Sequence, residues 1–204
     1  MEVKIITLCG VKGSGKSTLG AIIKEYYEEN GYSVHIVPFA ESVKKISAMI
    51  VCEYTGNLYD SILEYFLNPL LKETKIPNFN LSARQLMTSF GTDYIRNIDD
   101  NFWIQCTNSK IESIKRNCSG KTLILIDDAR FYNELEYSKK IGDVYFIAKS
   151  HKQAYPPITE KIKSFFKTHS SEKGLYQYCD KDDLIINDGT IQDLKHNFLK
   201  RVNI

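Results

Sequence analysis

Residues 2–22 read EVKIITLCGVKGSGKSTLGAI. The run from Val3 to Cys9 is apolar almost throughout, as in a strand buried on both faces of a parallel sheet. Gly10-Val11-Lys12-Gly13-Ser14-Gly15-Lys16-Ser17 follows it and fits the pattern G-x-x-x-x-G-K-[ST]. A helical stretch then runs from Gly15 to Glu29, and Asn30-Gly31 supplies the residues that end helices well. Strand, glycine-rich turn and helix, in that order, give the pattern its chemical meaning. The glycines let the backbone curl so that several N–H groups point at one anion, and the helix start adds partial positive charge. Lys16 can then reach the β- and γ-phosphates of a nucleoside triphosphate, and the Ser17 hydroxyl can ligate Mg2+. Thr18, one helical position on, fits either an α-phosphate contact or a plain first-turn residue.

The rest of the chain repeats the alternation that this stretch begins. Short runs rich in Ile, Val and Leu at residues 33–37, 122–127, 144–148 and 184–186 read as further buried strands, separated by helical stretches as in βαβ units. The expectation is an α/β fold around a parallel sheet. Residues 39–117 are helical by pattern, with a capping box at residues 82–85 (SARQ), Asp99 and Asp100 as caps for a helix carrying Phe102, Trp103 and Ile104, and a weaker cap at Thr190 and Asp193. Residues 151–174 are lysine-rich, hold Pro156-Pro157 and read as a mobile flap.

Composition narrows the function classes. With 204 residues the chain fits one domain, 27 basic against 25 acidic side chains leave a net charge of +2, and neither points to a nucleic-acid polymer as partner. The 5 cysteines have no metal-ligand spacing and read as reduced cytosolic thiols. Met1 leads directly into a strand, so no signal peptide is expected, and no apolar run is long enough for a bilayer.

Three further stretches carry chemistry. Residues 81–96 (LSARQLMTSFGTDYIR) place Arg84 and Arg96 on a helix pair expected to break at Gly91-Thr92-Asp93. Residues 123–134 (LILIDDARFYNE) are read as a buried strand ending in Asp127-Asp128, with Arg130 after it. Residues 168–194 (THSSEKG…DLIINDGTIQDL) start like a flap and then lead from a strand into Asn187-Asp188-Gly189. Ligands bind outside the carboxyl ends of strands in open α/β sheets, arginine forks suit phosphates, and an aspartate beside the phosphate loop suits Mg2+. On the residues alone, a helix arginine more often belongs to a solvated face, Trp103 fits core packing and Asn187-Asp188-Gly189 fits a turn.

Taken in order, the phosphate loop, RQLMTSFGTDYIR…FWIQ, IDDARFYNELEYSKKIG, THSSE and DLIINDGTIQDL resemble the deoxynucleoside monophosphate kinases known from bacteriophages and other viruses. The resemblance spans nearly the whole chain apart from residues 48–80. It implies a five-stranded parallel sheet with flanking helices in one kinase domain: a core of residues 1–38, 120–150 and 180–204, an acceptor-binding helical region at 39–119 and a lid at 151–174. It implies phosphoryl transfer from ATP, with Mg2+, to a deoxynucleoside 5′-monophosphate in the cytoplasm, that of a host if the source is viral. Membranes are not implied, and a homodimer stays open. By the same resemblance Lys12, Gly13, Ser14, Gly15, Lys16, Ser17 and Thr18 form the triphosphate cradle, with Lys12 near the transferred group and Ser17 and Asp127 toward the metal. Val43, Lys44, Arg84, Gly91, Thr92 and Trp103 serve the acceptor. Asp128 and Arg130 lie at the transfer site, with Glu134 a weaker candidate. Lys149, His169 and Glu172 belong to the lid, and Asn187 to Gly189 sit near the adenine. Ser42 stands where the family often has proline, and Lys149 where it often has an arginine. Two other readings stay open: a related kinase acting on a phosphorylated acceptor of the phosphomevalonate or dephospho-coenzyme A type, and a nucleotide-binding module with no acceptor.

Overall fold

The computed structural model describes residues 2–150, 154 and 175–202. The chain divides into two compact units, Met1–Pro38 with Ile111–Ile204, and Phe39–Lys110.

In the first unit, among the described residues, five strands form one sheet in the order β2-β3-β1-β4-β5: β1 (Glu2–Cys9), β2 (Ser33–Ile36), β3 (Lys121–Ala129), β4 (Asp143–Ala148) and β5 (Leu184–Ile186). Every neighbouring pair is parallel. Strands of this kind need cover on both faces, which explains the barely interrupted apolar runs. On one face Ile6, Leu8, Leu123, Leu125, Tyr145, Ile147 and Ile185 share a core with Leu19, Ile22, Ile23 and Tyr27 of α1 (Lys16–Glu29) and Leu194 and Phe198 of the last helix (Ile191–Arg201). Fully burying each such side chain stabilises by about 1.5–3 kcal/mol. Ile5 alternates with these and meets Gly142, at the C-terminus of a helix spanning Tyr132–Ile141.

The topology locates the ligand end. From β1 the chain passes through α1 to β2 on one side, whereas from β3 it passes through the helix Tyr132–Ile141 to β4 on the other. The carboxyl ends of β1 and β3 therefore flank the switch point at which open α/β sheets bind ligands. β3 also departs from expectation there. It continues to Ala129 instead of ending at Asp127-Asp128. Thr7 pairs with Ile126 and Cys9 with Ala129, so two steps along β1 face three along β3. The two aspartates sit in that bulge, a device that redirects side chains beside sites.

The second unit is helical: α2 (Ala40–Thr55), α3 (Tyr59–Leu67), α4 (Ala83–Leu86), a π-helical segment (Met87–Ile95), α5 (Arg96–Ile98) and the start of α6 (Phe102–Asn117). Its core gathers Ala48, Val51, Ile62, Phe66, Ile76, Ala83 and Leu86. The Ser82 box forms as read: Gln85 N–H donates to Ser82 Oγ at 3.2 Å and Ser82 N–H to Gln85 Oε1 at 2.9 Å. The break expected at Gly91-Thr92-Asp93 does not occur. Gly91 has no left-handed φ, and the helix runs through it by widening to π turns. Asp99 makes a turn by accepting from Asn101 N–H at 2.9 Å, and Asn101 opens α6 by accepting from Gln105 N–H at 2.9 Å. The Asp100 carboxylate lies 3.5 Å from the Arg96 guanidinium. In numbering α-helices onward, the helix Tyr132–Ile141 is α7 and Ile191–Arg201 is α8.

Glu41 ties α2 to α6. Lys110 Nζ donates to Glu41 Oε2 and to Ser42 Oγ, both at 2.9 Å, and Lys45 Nζ donates to Glu41 Oε1. Burial pushes the Glu41 carboxyl up, but the hydrogen bonds from Lys45 and Lys110 outweigh it and hold the group below its ordinary value of 4.5. A carboxylate depressed in the folded state stabilises above its unfolded pKa and loses that contribution as pH falls through the folded one. Glu41→Gln is therefore expected to cost about 0.5–1 kcal/mol at neutral pH, the partial exposure keeping the figure small. Urea unfolding should show the gap to wild type closing as pH falls through and below the ordinary glutamate value of 4.5. A gap that is constant with pH would mean that the charge contributes nothing.

None of the 5 cysteines, all among the described residues, is in a disulfide. Among the described residues no helix is long and apolar enough to cross a membrane. The expected lid at 151–174, with His169 and Glu172, lies outside the described residues except for Ala154.

Candidate active site

In the first unit the turn between β1 and α1 is built by its glycines. Gly15 has φ +107, and a Cβ placed there would run into Asn187 Nδ2. A Cβ on Gly10 would come within 2.5 Å of Ile147 O and 2.7 Å of Ser14 Oγ. The loop closes on itself through Ser14 N–H to Val11 O at 3.2 Å. Lys16 is only 8% exposed, and its ammonium donates to Gly10 O at 2.6 Å and Val11 O at 2.9 Å. A cation is thus held inside a curl of backbone at the positive end of a 14-residue helix. The Ser14 hydroxyl is buried and, among the described residues, finds no hydrogen-bond partner. Lys12, Gly13, Ser17 and Thr18 are exposed around it. This arrangement suits a multiply charged phosphate anion.

The metal candidates also fit. A Cβ on Gly20 would lie 3.8 Å from the Cβ of Asp127, and Ser17 precedes Gly20 by three residues, on the same side of α1. Asp127 therefore stands alongside the helix face that carries Ser17. Among the described residues no cluster of three His, Cys, Asp or Glu side chains could hold a metal by itself. A hydroxyl and one carboxylate, completed by phosphate oxygens and water, is the coordination Mg2+ accepts.

Asp128 and Arg130 are half-buried, at the bulge and just past the end of β3. Glu134, the weaker acceptor candidate, is 3% exposed and turned into the start of α7. Its Oε2 accepts from Arg130 N–H at 2.9 Å and Phe131 N–H at 3.1 Å. It caps a helix and fixes the backbone that carries Arg130, a role the sequence reading did not assign. Lys149 is exposed after β4. Gly189 sits against Asp193 in the Thr190 capping box, where Asp193 N–H donates to Thr190 Oγ1 at 3.2 Å.

Two contacts of the loop were not anticipated. Asn187 Nδ2 donates to Ser14 O at 2.9 Å. The buried Tyr176 hydroxyl accepts from Val11 N–H at 3.3 Å and donates to Ile147 O at 2.6 Å. The N-D-G stretch hinted at Asn187; nothing local marks Tyr176.

In the second unit Val43, Gly91 and Trp103 come together. A Cβ on Gly91 would lie 2.6 Å from Val43 Cγ2 and 3.8 Å from Trp103 Cζ2. The Trp103 indole N–H donates to Gly91 O at 2.9 Å, its ring meets Phe90 and Phe102 edge-on, and it is 3% exposed. Trp103 is therefore packed as a core residue, and it offers no open ring face in this structure. Thr92 and Lys44 are half-buried next to this cluster in the chain. Gly91→Ala is expected to lower stability by about 1–3 kcal/mol through overpacking against Val43, more than the roughly 1 kcal/mol that alanine gains in helix propensity. Thermal melting checks this; a raised melting temperature would mean Val43 yields freely.

Arg84 and Arg96 differ in setting. Arg84 pairs with Glu73 at 2.5 Å, with side chains 41% and 61% exposed, and its N–H donates to Lys72 O at 3.0 Å. Such an exposed pair is worth little, so a phosphate dianion can replace the carboxylate. The Arg96 side chain is 8% exposed and directed to Asp100. Val43, Lys44, Arg84, Gly91, Thr92 and Trp103 belong to the unit Phe39–Lys110, whereas the phosphate loop, Asp128, Arg130 and Glu134 belong to the other.

A family model described as deoxynucleotide monophosphate kinase matches residues 39–198. No curated protein matches the sequence. Among solved structures, TT1252 from Thermus thermophilus is similar in fold at 16% identity and TM-score 0.52, with 100% of this chain and 97% of that chain covered. The Mycobacterium tuberculosis APS kinase CysC aligns at 13% identity and TM-score 0.47, covering 100% of this chain and 99% of that one.

Proposed function

The chain belongs to the deoxynucleotide monophosphate kinase family, and on that premise we propose that it transfers the γ-phosphoryl group of ATP to a deoxynucleoside 5′-monophosphate. The product is the diphosphate, a precursor for DNA synthesis. The observation that carries this reading is the Lys16 ammonium enclosed by the glycine-rich loop at the β1–α1 junction.

The acceptor phosphate oxygen is already an anion, so no strong general base is required. The residues' work is to hold two anions in line and offset their charge. Lys16 and the loop N–H groups hold the donor phosphates, and Lys12 stands by the group in transfer. Arg84 grips the acceptor phosphate with a planar fork that matches its oxygens. Asp128 and Arg130 serve the transfer site, with Glu134 fixing the Arg130 backbone. Val43, Lys44, Gly91 and Thr92 shape the acceptor side, with Trp103 holding Gly91 in place from the core. Ser17 and Asp127 would hold Mg2+, which would supply positive charge to offset that of the donor phosphates.

An acceptor screen tests the reading. ATP is incubated with the enzyme and each common deoxynucleoside monophosphate, the matching ribonucleotides, phosphomevalonate or dephospho-coenzyme A. Turnover is expected with at least one deoxynucleoside monophosphate and not with the last two. Turnover with either of those alone would replace the acceptor class.

A further inference from the structure

We propose that Tyr176 and Asn187 act together as a brace that sets the phosphate loop for the triphosphate chain, so that Asn187 acts on the phosphates and not on the base. The inference rests on the phosphate-loop reading and adds two positioning residues to it.

Each residue joins the end of β4 to one peptide of the loop. The Tyr176 hydroxyl donates to Ile147 O and accepts from Val11 N–H. Asn187 N–H donates to Ala148 O, and its carboxamide donates to Ser14 O. Ile147 and Ala148 are consecutive in β4, which pairs directly with both β1 and β5. The loop is thus tied to the rigid middle of the sheet at two points.

Peptide planarity turns these ties into orientation. Val11 N–H and Gly10 C=O belong to one flat trans peptide and point opposite ways. Its N–H meets Tyr176, and its carbonyl accepts from Lys16 Nζ at 2.6 Å. The tyrosine hydroxyl therefore fixes the plane on which the Lys16 ammonium rests. Neither bond can be reversed, because Ile147 O only accepts and Val11 N–H only donates. The Ser14–Gly15 peptide is held likewise. Asn187 takes its carbonyl, so Gly15 N–H points away from Asn187. The close approach of Asn187 Nδ2 to Gly15 leaves no room for a Cβ, a second reason for glycine there. Tyr176 keeps its ring near Phe146, with centroids 6.4 Å apart, so Tyr176→Phe preserves the packing and removes only the hydroxyl.

The test compares ATP with inorganic tripolyphosphate, each with Mg2+, on the full chain by equilibrium titration. Tyr176→Phe and Asn187→Ala should each weaken binding of both probes by the same factor, about fivefold for one neutral hydrogen bond. The ratio of ATP to GTP affinity should stay at the wild-type value. If Asn187→Ala weakens ATP but leaves tripolyphosphate unchanged, the side chain reads the base and the brace is wrong. Unchanged affinity for both probes in either variant also overturns it. Lys16→Ala is the control for the underlying reading. If Lys16→Ala keeps wild-type triphosphate affinity and turnover, the loop assignment itself fails; if it loses them while the other two variants are silent, only the brace fails. Melting curves separate loss of fold from loss of affinity, and Asn187→Ser serves if the alanine variant does not fold.

Discussion

Lys16→Ala is expected to remove nearly all phosphoryl transfer while the protein melts within a few degrees of wild type. Lys16 is buried and donates to two loop carbonyls, so its charge is preorganised inside the curl and not borrowed from solvent. Losing one such preorganised group typically costs roughly 3–4 kcal/mol of transition-state stabilisation, a fall in kcat of about a hundredfold to a thousandfold. The fold should survive because α1 is anchored elsewhere, by Leu19, Ile22, Ile23 and Tyr27 in the sheet core. Steady-state rates together with a melting curve check both halves of the statement. A variant that melts normally and keeps wild-type turnover would remove Lys16 from the reaction.

Arg84→Ala should act on the other substrate. The monophosphate KM is expected to rise about tenfold or more, or kcat/KM for it to fall by as much, with the ATP KM little changed. The reason lies in the setting of Arg84. It is paired with an exposed Glu73 in the helical unit, so a fork already aimed at one carboxylate can exchange it for a phosphate. Truncation leaves little to destabilise, since an exposed pair contributes at most about 1 kcal/mol. A shift in the ATP KM instead would mean that donor and acceptor sides have been assigned the wrong way round.

Legibility from sequence followed the range of the forces involved. The strands were readable because a doubly covered parallel strand is apolar at almost every position, as in Leu123, Ile124, Leu125 and Ile126, all fully buried. The phosphate loop was readable because its glycines, lysine and serine are adjacent in the chain. The Ser82 and Thr190 boxes were readable because each closes over three residues. Features decided by distant partners were not. Gly91 looks like a helix breaker, but Val43 and Trp103 are what require a glycine, and the helix continues through it as π turns. The bulge at Asp127 and Asp128 exists only relative to the register of β1. Tyr176 and Asn187 reach the loop across 165 and 173 residues of chain, a separation no local pattern records. The family resemblance makes Glu134 a weaker candidate for the transfer site. Its burial at the α7 N-terminus is set by orphan backbone amides, which competed for the same carboxylate.

The central claim is that this chain moves a phosphoryl group between two nucleotides. It is tested most directly by following the label from ATP carrying radioactive phosphorus in its γ position, in the presence of the deoxynucleoside monophosphate that turns over best. The label should appear in the β position of the deoxynucleoside diphosphate, at a rate that depends on the acceptor and vanishes with Lys16→Ala. Label released only as inorganic phosphate, at a rate indifferent to every monophosphate offered, would contradict the account.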